Sequence, residues 1–177
     1  MIVGLTGYAQ SGKDTVAEIL SRRYGFVRIA FADKIRDVAY DLNPIVKPGL
    51  RLKDAVDEMG WEKAKIRIPE VRTTLQNLGM ACREHLDDRI WVNQALRKFE
   101  AEKHVVITDV RFTNEADWLR LNGAQIWRIR RTGIDAANDH VSESQLDGYK
   151  VDQIFLNGGT LEDLEHLVTV RMSPYLG

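Results

Sequence analysis

The sequence predicts an α/β protein: a three-layer sandwich with a parallel five-stranded sheet between helices. Three observations predict it. Apolar, β-branched runs alternate with segments of helical period along the chain. The compact run His104 to Thr108 (HVVIT) has the continuous apolar character of a strand buried on both faces. The opening run Ile2-Val3-Gly4-Leu5 passes through a glycine-bearing loop straight into a helical segment, the start of a βαβ unit.

Taken in order, the first strand is Ile2 to Thr6 and the first helix runs from about Lys13 to Tyr24. Val27 to Phe31 reads as a second short strand, and Asp33 as the cap of a helix through Tyr40. Asn43-Pro44 and Lys47-Pro48-Gly49 form a breaker zone. Leu52 to Phe99 is helical by pattern, interrupted near Pro69. The third strand is the 104–108 run. Ala116 to Leu121 is helical and is ended by Asn122-Gly123. Gln125 to Arg130 and Val151 to Leu156 read as the fourth and fifth strands, and a last helix covers about Leu161 to Val170. No repeat or interdomain linker is visible, so the expectation is one domain over 1–177. Its helical region would lie at about 43–99. A polar, weakly periodic segment at about 131–150 has the make-up of a mobile lid.

Composition bounds the function. With 44% hydrophobic and 29% charged residues, a chain of 177 residues is long enough to bury a real core. A net charge of -1 gives no general field for nucleic acid. No apolar stretch approaches the roughly 20 residues that cross a bilayer. The N-terminus is occupied by the first strand, so a cleaved leader is not expected. The single cysteine, Cys82, suits a reducing cytoplasm and reads best as a small buried apolar residue. The expected partners are therefore small molecules, without nucleic acid or membrane, with a homodimer left open.

The loop itself carries chemistry. It reads Gly7-Tyr8-Ala9-Gln10-Ser11-Gly12-Lys13-Asp14-Thr15. Strand, glycine loop and helix in this order form a P-loop, in which successive backbone N–H groups converge on one anion. Gly7 and Gly12 permit the dihedrals this needs. The helix adds its positive N-terminal end, and Lys13 a full charge for β and γ phosphates. Ala9, Gln10 and Ser11 complete the cradle. The usual Ser or Thr after the lysine is replaced by Asp14, with Thr15 next. These two are the candidate Mg²⁺ contacts, through water; Asp14 serves equally well as a negative charge at a helix start.

Further segments lie along the chain in a fixed order. They are Phe31-Ala32-Asp33-Lys34-Ile35-Arg36, Arg72-Thr73-Thr74-Leu75-Gln76-Asn77-Leu78-Gly79 with Arg83, and Asp88-Arg89-Ile90-Trp91-Val92. Then come Thr108-Asp109-Val110-Arg111-Phe112-Thr113-Asn114-Glu115, His140-Val141-Ser142-Glu143 and Asn157-Gly158-Gly159-Thr160-Leu161. In this order they closely resemble the phage-type deoxynucleoside monophosphate kinases, from Ile2 to about Val168. The Asp-Val-Arg-Phe-x-Asn-Glu and Leu-Gln-x-Leu-Gly segments are the most specific. Asp14-Thr15 after the lysine is similar to that family too. Lys34 and Met80-Ala81-Cys82 depart from its pattern, which touches the acceptor pocket rather than the reaction class. The resemblance implies a P-loop kinase fold with a helical acceptor-binding insertion and a lid. It implies transfer of the γ-phosphate of Mg-ATP to a deoxynucleoside monophosphate. Two other readings stand beside it: a P-loop kinase for another small acceptor, such as dephospho-coenzyme A or a phosphorylated alcohol, and a nucleotide-gated switch.

Phosphoryl transfer needs positioning and charge compensation. Asp109, at the carboxyl end of the third strand, is a candidate for Mg²⁺, its water shell or the acceptor's surroundings; a helix cap is the plain alternative. Arg111 reads as a phosphate contact or as an ion-pair partner of Asp109 or Glu115. Arg130 or Arg131 reads as a lid arginine over the ATP phosphates, or as part of an exposed sheet edge. Arg72 and Arg83, eleven apart, would share a face if one helix joins them, and with Arg36 behind them could grip an acceptor dianion. Gln76 lies on the same side as Arg72. Trp91 and Phe31 read as base-stacking rings or as core. His140 carries a lid or nucleotide contact by resemblance, or is part of a solvated loop.

Overall fold

The computed structural model describes residues 1–99, 103–136 and 140–175. They form two compact units, residues 1–30 with 95–177 and residues 31–94.

The first unit holds the parallel sheet. Its strands are β1 (Ile2–Thr6), β2 (Val27–Ile29), β5 (Val105–Ile107), β6 (Gln125–Arg130) and β7 (Gln153–Leu156), in the order β2-β5-β1-β6-β7. All four pairings are parallel, with Gly4 opposite Ile107 and Thr6 opposite Arg128. Alternation sorts the side chains. Val3 and Leu5 of β1, Trp127 and Ile129 of β6 and Phe155 of β7 share one core with helix α1 (Lys13–Tyr24) and helix α8 (Leu161–Met172). Val16, Ile19 and Leu20 of α1 meet Leu164, Val168 and Met172 of α8 there. Glu165 of α8 also pairs with both Arg22 and Arg23. Gly4 points to the opposite face, toward Leu119 of helix α6 (Thr113–Leu121), Ile126 and Val110. The expected three layers and five strands are therefore present. The order places β5 on one side of central β1 and β6 on the other. That is a topological switch point, and it opens a crevice at the carboxyl end of β1.

The second unit holds helix α2 (Ala32–Leu42), a hairpin of β3 (Ile45–Lys47) and β4 (Leu50–Arg51), helix α3 (Leu52–Arg67), helix α4 (Pro69–His85) and the start of helix α5 (Ile90–Phe99). Its core is Ala39, Val46, Leu52, Ala55, Val56, Ala64, Ile68 and Val71. Pro69 opens α4, as its fixed φ and missing N–H allow.

Five expectations are corrected here. The breaker zone contains a hairpin, turning at Gly49 with φ 76°. The helical block bends at Gly60 as well as at Pro69, since Gly60 has φ 76° and ψ 160° inside α3. The second strand stops at Ile29. The residue capping α2 is Phe31, so Asp33 lies within the first turn, where it pairs with Arg36 at 3.8 Å. Cys82 is half-buried, not buried. Among the described residues, no helix is long and apolar enough to cross a membrane.

Candidate active site

The loop after β1 has the backbone the sequence demands. Gly7 has φ 136° and Gly12 φ 106°, and a Cβ on Gly7 would collide with the carbonyl oxygen of Ile129. Gly12 caps α1. Gln10, with φ 64°, is exposed at the loop's crest beside half-buried Ala9. The Lys13 ammonium lies back along the loop, donating to the carbonyls of Gly7 and Tyr8, both at 2.7 Å. Ser11 is 1% exposed, and its Oγ has no hydrogen-bond partner among the described residues. Its carbonyl accepts a bond from the Asn157 side-chain amide at 2.8 Å. The Ser11 carbonyl and the Gly12 N–H belong to one peptide plane and point in opposite directions. Holding the first from behind therefore aims the second into the cradle. In sequence the Asn157-Gly158-Gly159 run reads as a turn within a family-like segment, and only the fold brings the Asn157 amide to the loop.

A cleft of about 280 Å³ opens at this edge of the sheet. It gathers Gly7, Ser11, Arg111, Arg130 and Arg131, all expected site residues, with Tyr8, Arg128, Ser142 and Asp147, which were not. Alternation does put Arg128 and Arg130 on one face of β6, but their fates differ. Arg130 is exposed. Arg128 is 8% exposed, and its guanidinium donates to the carbonyls of Leu146, Asp147 at 3.0 Å and Tyr149 at 3.1 Å. Burial, then the neighbouring Arg130 charge, lowers its pKa from the ordinary arginine value. Tyr8 donates its hydroxyl to Asp147 at 2.9 Å, and this bond, followed by burial, raises the phenol's pKa. The backbone of 146–149 is thus tied to β6 and to the phosphate loop.

Asp109 follows β5 at the same edge, half-buried. Glu115 is 1% exposed and accepts the N–H groups of Arg111 at 2.8 Å and Phe112 at 3.0 Å. It starts α6 and fixes the backbone carrying Arg111, whose guanidinium reaches the Ser142 carbonyl at 3.5 Å. His140 caps the four-residue helix α7 (Val141–Ser144), its ring accepting the Ser142 N–H at 3.2 Å. Residues 137–139 of the expected lid lie outside the described residues. The candidate Mg²⁺ oxygens are single groups: Asp14 is exposed and 3.7 Å from Arg28, and Thr15 is half-buried. Such a set fits a cation delivered on the nucleotide phosphates and keeping its waters, rather than one held in an all-protein cage.

Within the second unit, α4 joins Arg72, Gln76 and Arg83 on one face, as their spacing requires. Eleven residues of rise set Arg72 and Arg83 roughly 16 Å apart along the axis, however, too far to close on one phosphate. Arg83 donates to the Asp88 carbonyl at 2.9 Å. Arg36 of α2 donates to Glu62 at 3.2 Å, and Lys65 donates to the same Glu62 oxygen at 2.8 Å. Burial works to raise the Glu62 pKa, but the Lys65 bond and the charges of Lys65, Arg36 and Arg72 outweigh it and hold the carboxyl low. Burial lowers the Lys65 pKa, opposed by the Glu62 bond and reinforced by the Arg36 and Arg72 charges. Trp91 is 3% exposed and donates its ring N–H to the Gly79 carbonyl at 3.1 Å. Phe31 is equally buried. Both are buried in this structure, as the core reading of each ring expects.

A family model for deoxynucleotide monophosphate kinases matches residues 53–168, well over half of the chain. The chain belongs to that family. This kinase is 30% identical to a protein of Acanthamoeba polyphaga mimivirus named as a candidate deoxynucleotide monophosphate kinase, over 92% of this chain and 91% of that one. It is 26% identical to the deoxynucleotide monophosphate kinase of Escherichia phage RB69, over 67% of this chain and 49% of the phage protein. Among solved structures, the dephospho-CoA kinase of Campylobacter jejuni aligns with a TM-score of 0.48 at 18% identity, covering 98% of this kinase and 96% of that chain. The chain is a nucleoside-phosphate kinase of P-loop fold with a nucleotide phosphate donor, and the lead sequence reading stands over the switch and the other acceptors.

Proposed function

We propose that the chain moves the γ-phosphoryl group of Mg-ATP onto a deoxynucleoside monophosphate, giving the diphosphate and ADP. The observation that carries this reading is the positive-φ glycine loop with Lys13 at the switch point, beside a cleft lined by Arg111, Arg130 and Arg131. The amides of Gly7 to Lys13, with Lys13 and Thr15, hold the donor phosphates. Mg²⁺ bound to those phosphates would offset their charge, with Asp14 or Thr15 touching its waters. Arg111 and Arg130 or Arg131 offset the charge that builds on the transferring group, and Asp109 orders the surroundings of the attacking oxygen. His140 sets the start of α7 next to Ser142, a wall of the same cleft. Arg36 and Arg72 hold the acceptor phosphate, while Gln76 and the more distant Arg83 contact other parts of the acceptor. A coupled assay for ADP release over a panel of deoxynucleoside monophosphates tests the reading; no turnover with any of them refutes it. The net charge and composition support a cytoplasmic enzyme of free nucleotides, with a dimer to be decided by light scattering.

The acceptor assignment has its own test. Arg72→Ala should raise the acceptor KM about tenfold or more, the scale of a charged hydrogen bond, with the ATP KM little changed. Arg83→Ala should have a smaller effect. If ATP binding suffers and acceptor behaviour does not, the phosphate is held elsewhere.

The lid assignment also gains a boundary. The bonds from Arg128 support reading 146–150 as a fixed root and the part before it as the moving portion. Closure over both substrates would exclude water from the γ-phosphate. In hydrogen exchange, an ATP analogue with monophosphate should protect 131–136 and 140–145 strongly, and 146–150 little beyond its free level. Full protection of 131–136 and 140–145 without ligand would make this segment scaffold.

A further inference from the structure

We propose that Lys65 is a third cation of the acceptor-phosphate site, and that Glu62 occupies the place of that phosphate until it arrives. The inference rests on the reading of Arg36 and Arg72 as acceptor residues.

Two helices each send one cation to the same carboxylate, Arg36 from α2 and Lys65 from α3, and Arg72 of α4 adds its charge to both Glu62 and Lys65. Arg36 and Lys65 meet at a single oxygen, Oε1 of Glu62. The charges of Arg36 and Arg72 both act against the charge on Lys65. Yet the carboxylate between them is a weak permanent counter-ion. The Glu62 side chain is 72% exposed, whereas those of Lys65 and Arg36 are only 18% and 23% exposed. A pair with one partner so open to water is weakly held, so Glu62 can swing away at little cost. Asp33 also faces Arg36, at 3.8 Å. The buried Nε–H of Arg36 has no hydrogen-bond partner among the described residues. One carboxylate oxygen thus leaves donors and charge over.

A phosphate monoester dianion would use what is left. It brings two charges and three oxygens to the ammonium and the planar guanidinium forks. A helix-borne lysine with little exposed stem is already restricted in its rotamers, so little ordering remains to be done when the ligand binds. The carboxylate keeps the cations gathered in the free enzyme and is exchanged for the better anion.

Opposite signs distinguish this arrangement from a structural ion pair. In steady-state kinetics on the full chain, with monophosphate varied at saturating ATP and then the reverse, Lys65→Met should raise the acceptor KM about tenfold or more. The ATP KM should stay within about twofold. Lys65→Arg should recover part of the loss. Glu62→Gln should lower the acceptor KM, because no charged group has to be displaced. A structural pair predicts instead that both single variants lose thermal stability, that the double variant regains it, and that neither moves the acceptor KM; that pattern overturns the proposal. If Lys65→Met does not fold, Glu62→Gln decides alone: an acceptor KM unchanged or raised overturns it. An active parent enzyme with unmoved KM values removes this inference and leaves the kinase reading intact. A parent inactive on every monophosphate removes the reading itself, and the inference with it.

Discussion

Replacing Lys13 with Ala should lower turnover by about two to three orders of magnitude, the scale of a charge aimed at a transition state in a dry site. The ammonium lies against the carbonyls of Gly7 and Tyr8, so in the free enzyme it is held over the loop that it serves. Charge grows on the bridging and γ oxygens as the phosphoryl group leaves. At the loop itself Lys13 is the full positive charge set against it, since the amides contribute only partial charges. The fold should survive, since neither carbonyl is deep in the core and water can replace the ammonium. The check is kcat with saturating substrates, alongside a thermal melt. A folded variant that keeps more than about a tenth of its turnover, a loss of only about 1.4 kcal/mol, would remove Lys13 from the mechanism.

Replacing Arg128 with Met should act on stability instead. Three backbone carbonyls lose their donor, in a place that water reaches poorly. Hydrogen bonds to a charged group contribute about 1.5–3 kcal/mol each, but removal also relieves the cost of burying the cation. The net loss should be about 2–4 kcal/mol, or roughly 5–12 °C in Tm for a chain of this size. Proteolysis within 140–150 should become faster. A Tm within about 2 °C of the parent, with unchanged cleavage, would show that the segment is held by something else. Arg128→Lys should not rescue, because an ammonium lacks the planar fork that spans several carbonyls.

What the sequence displayed plainly was what short-range chemistry decides. The loop 7–15 is specified by its own glycines and lysine. The strands at 2–6 and 125–130 match to the residue, since each is a run bounded by a loop or a glycine turn. The hairpin at 45–51 was hidden because strands of three and two residues carry no measurable period. The bend at Gly60 was hidden because a lone glycine in a helical pattern usually costs propensity without breaking the helix. Site residues divide the same way. Gly7, Ser11 and Arg111 follow from motif. Arg128 reads as a surface anomaly until segment 146–149 is laid over it. Lys65 and Glu62 read as an ordinary i,i+3 surface pair until Arg36 arrives from another helix. Trp91 has one sequence signature for two readings, and the Gly79 carbonyl that accepts its ring N–H shows only in the fold.

The bond from Asn157 to Ser11 also sets an order of events during synthesis. The nucleotide loop is made before the residues that complete it. Its strand, β1, takes its neighbours from 105–107 and 125–130, and the brace on the loop comes 146 residues later. A nascent chain therefore carries the whole phosphate-binding motif long before it can present that motif to a nucleotide. Such distant pairings close slowly and late. ATP in the cell can then favour only the finished molecule, by mass action on the native state. Incomplete chains gain no such support and stay open to quality control.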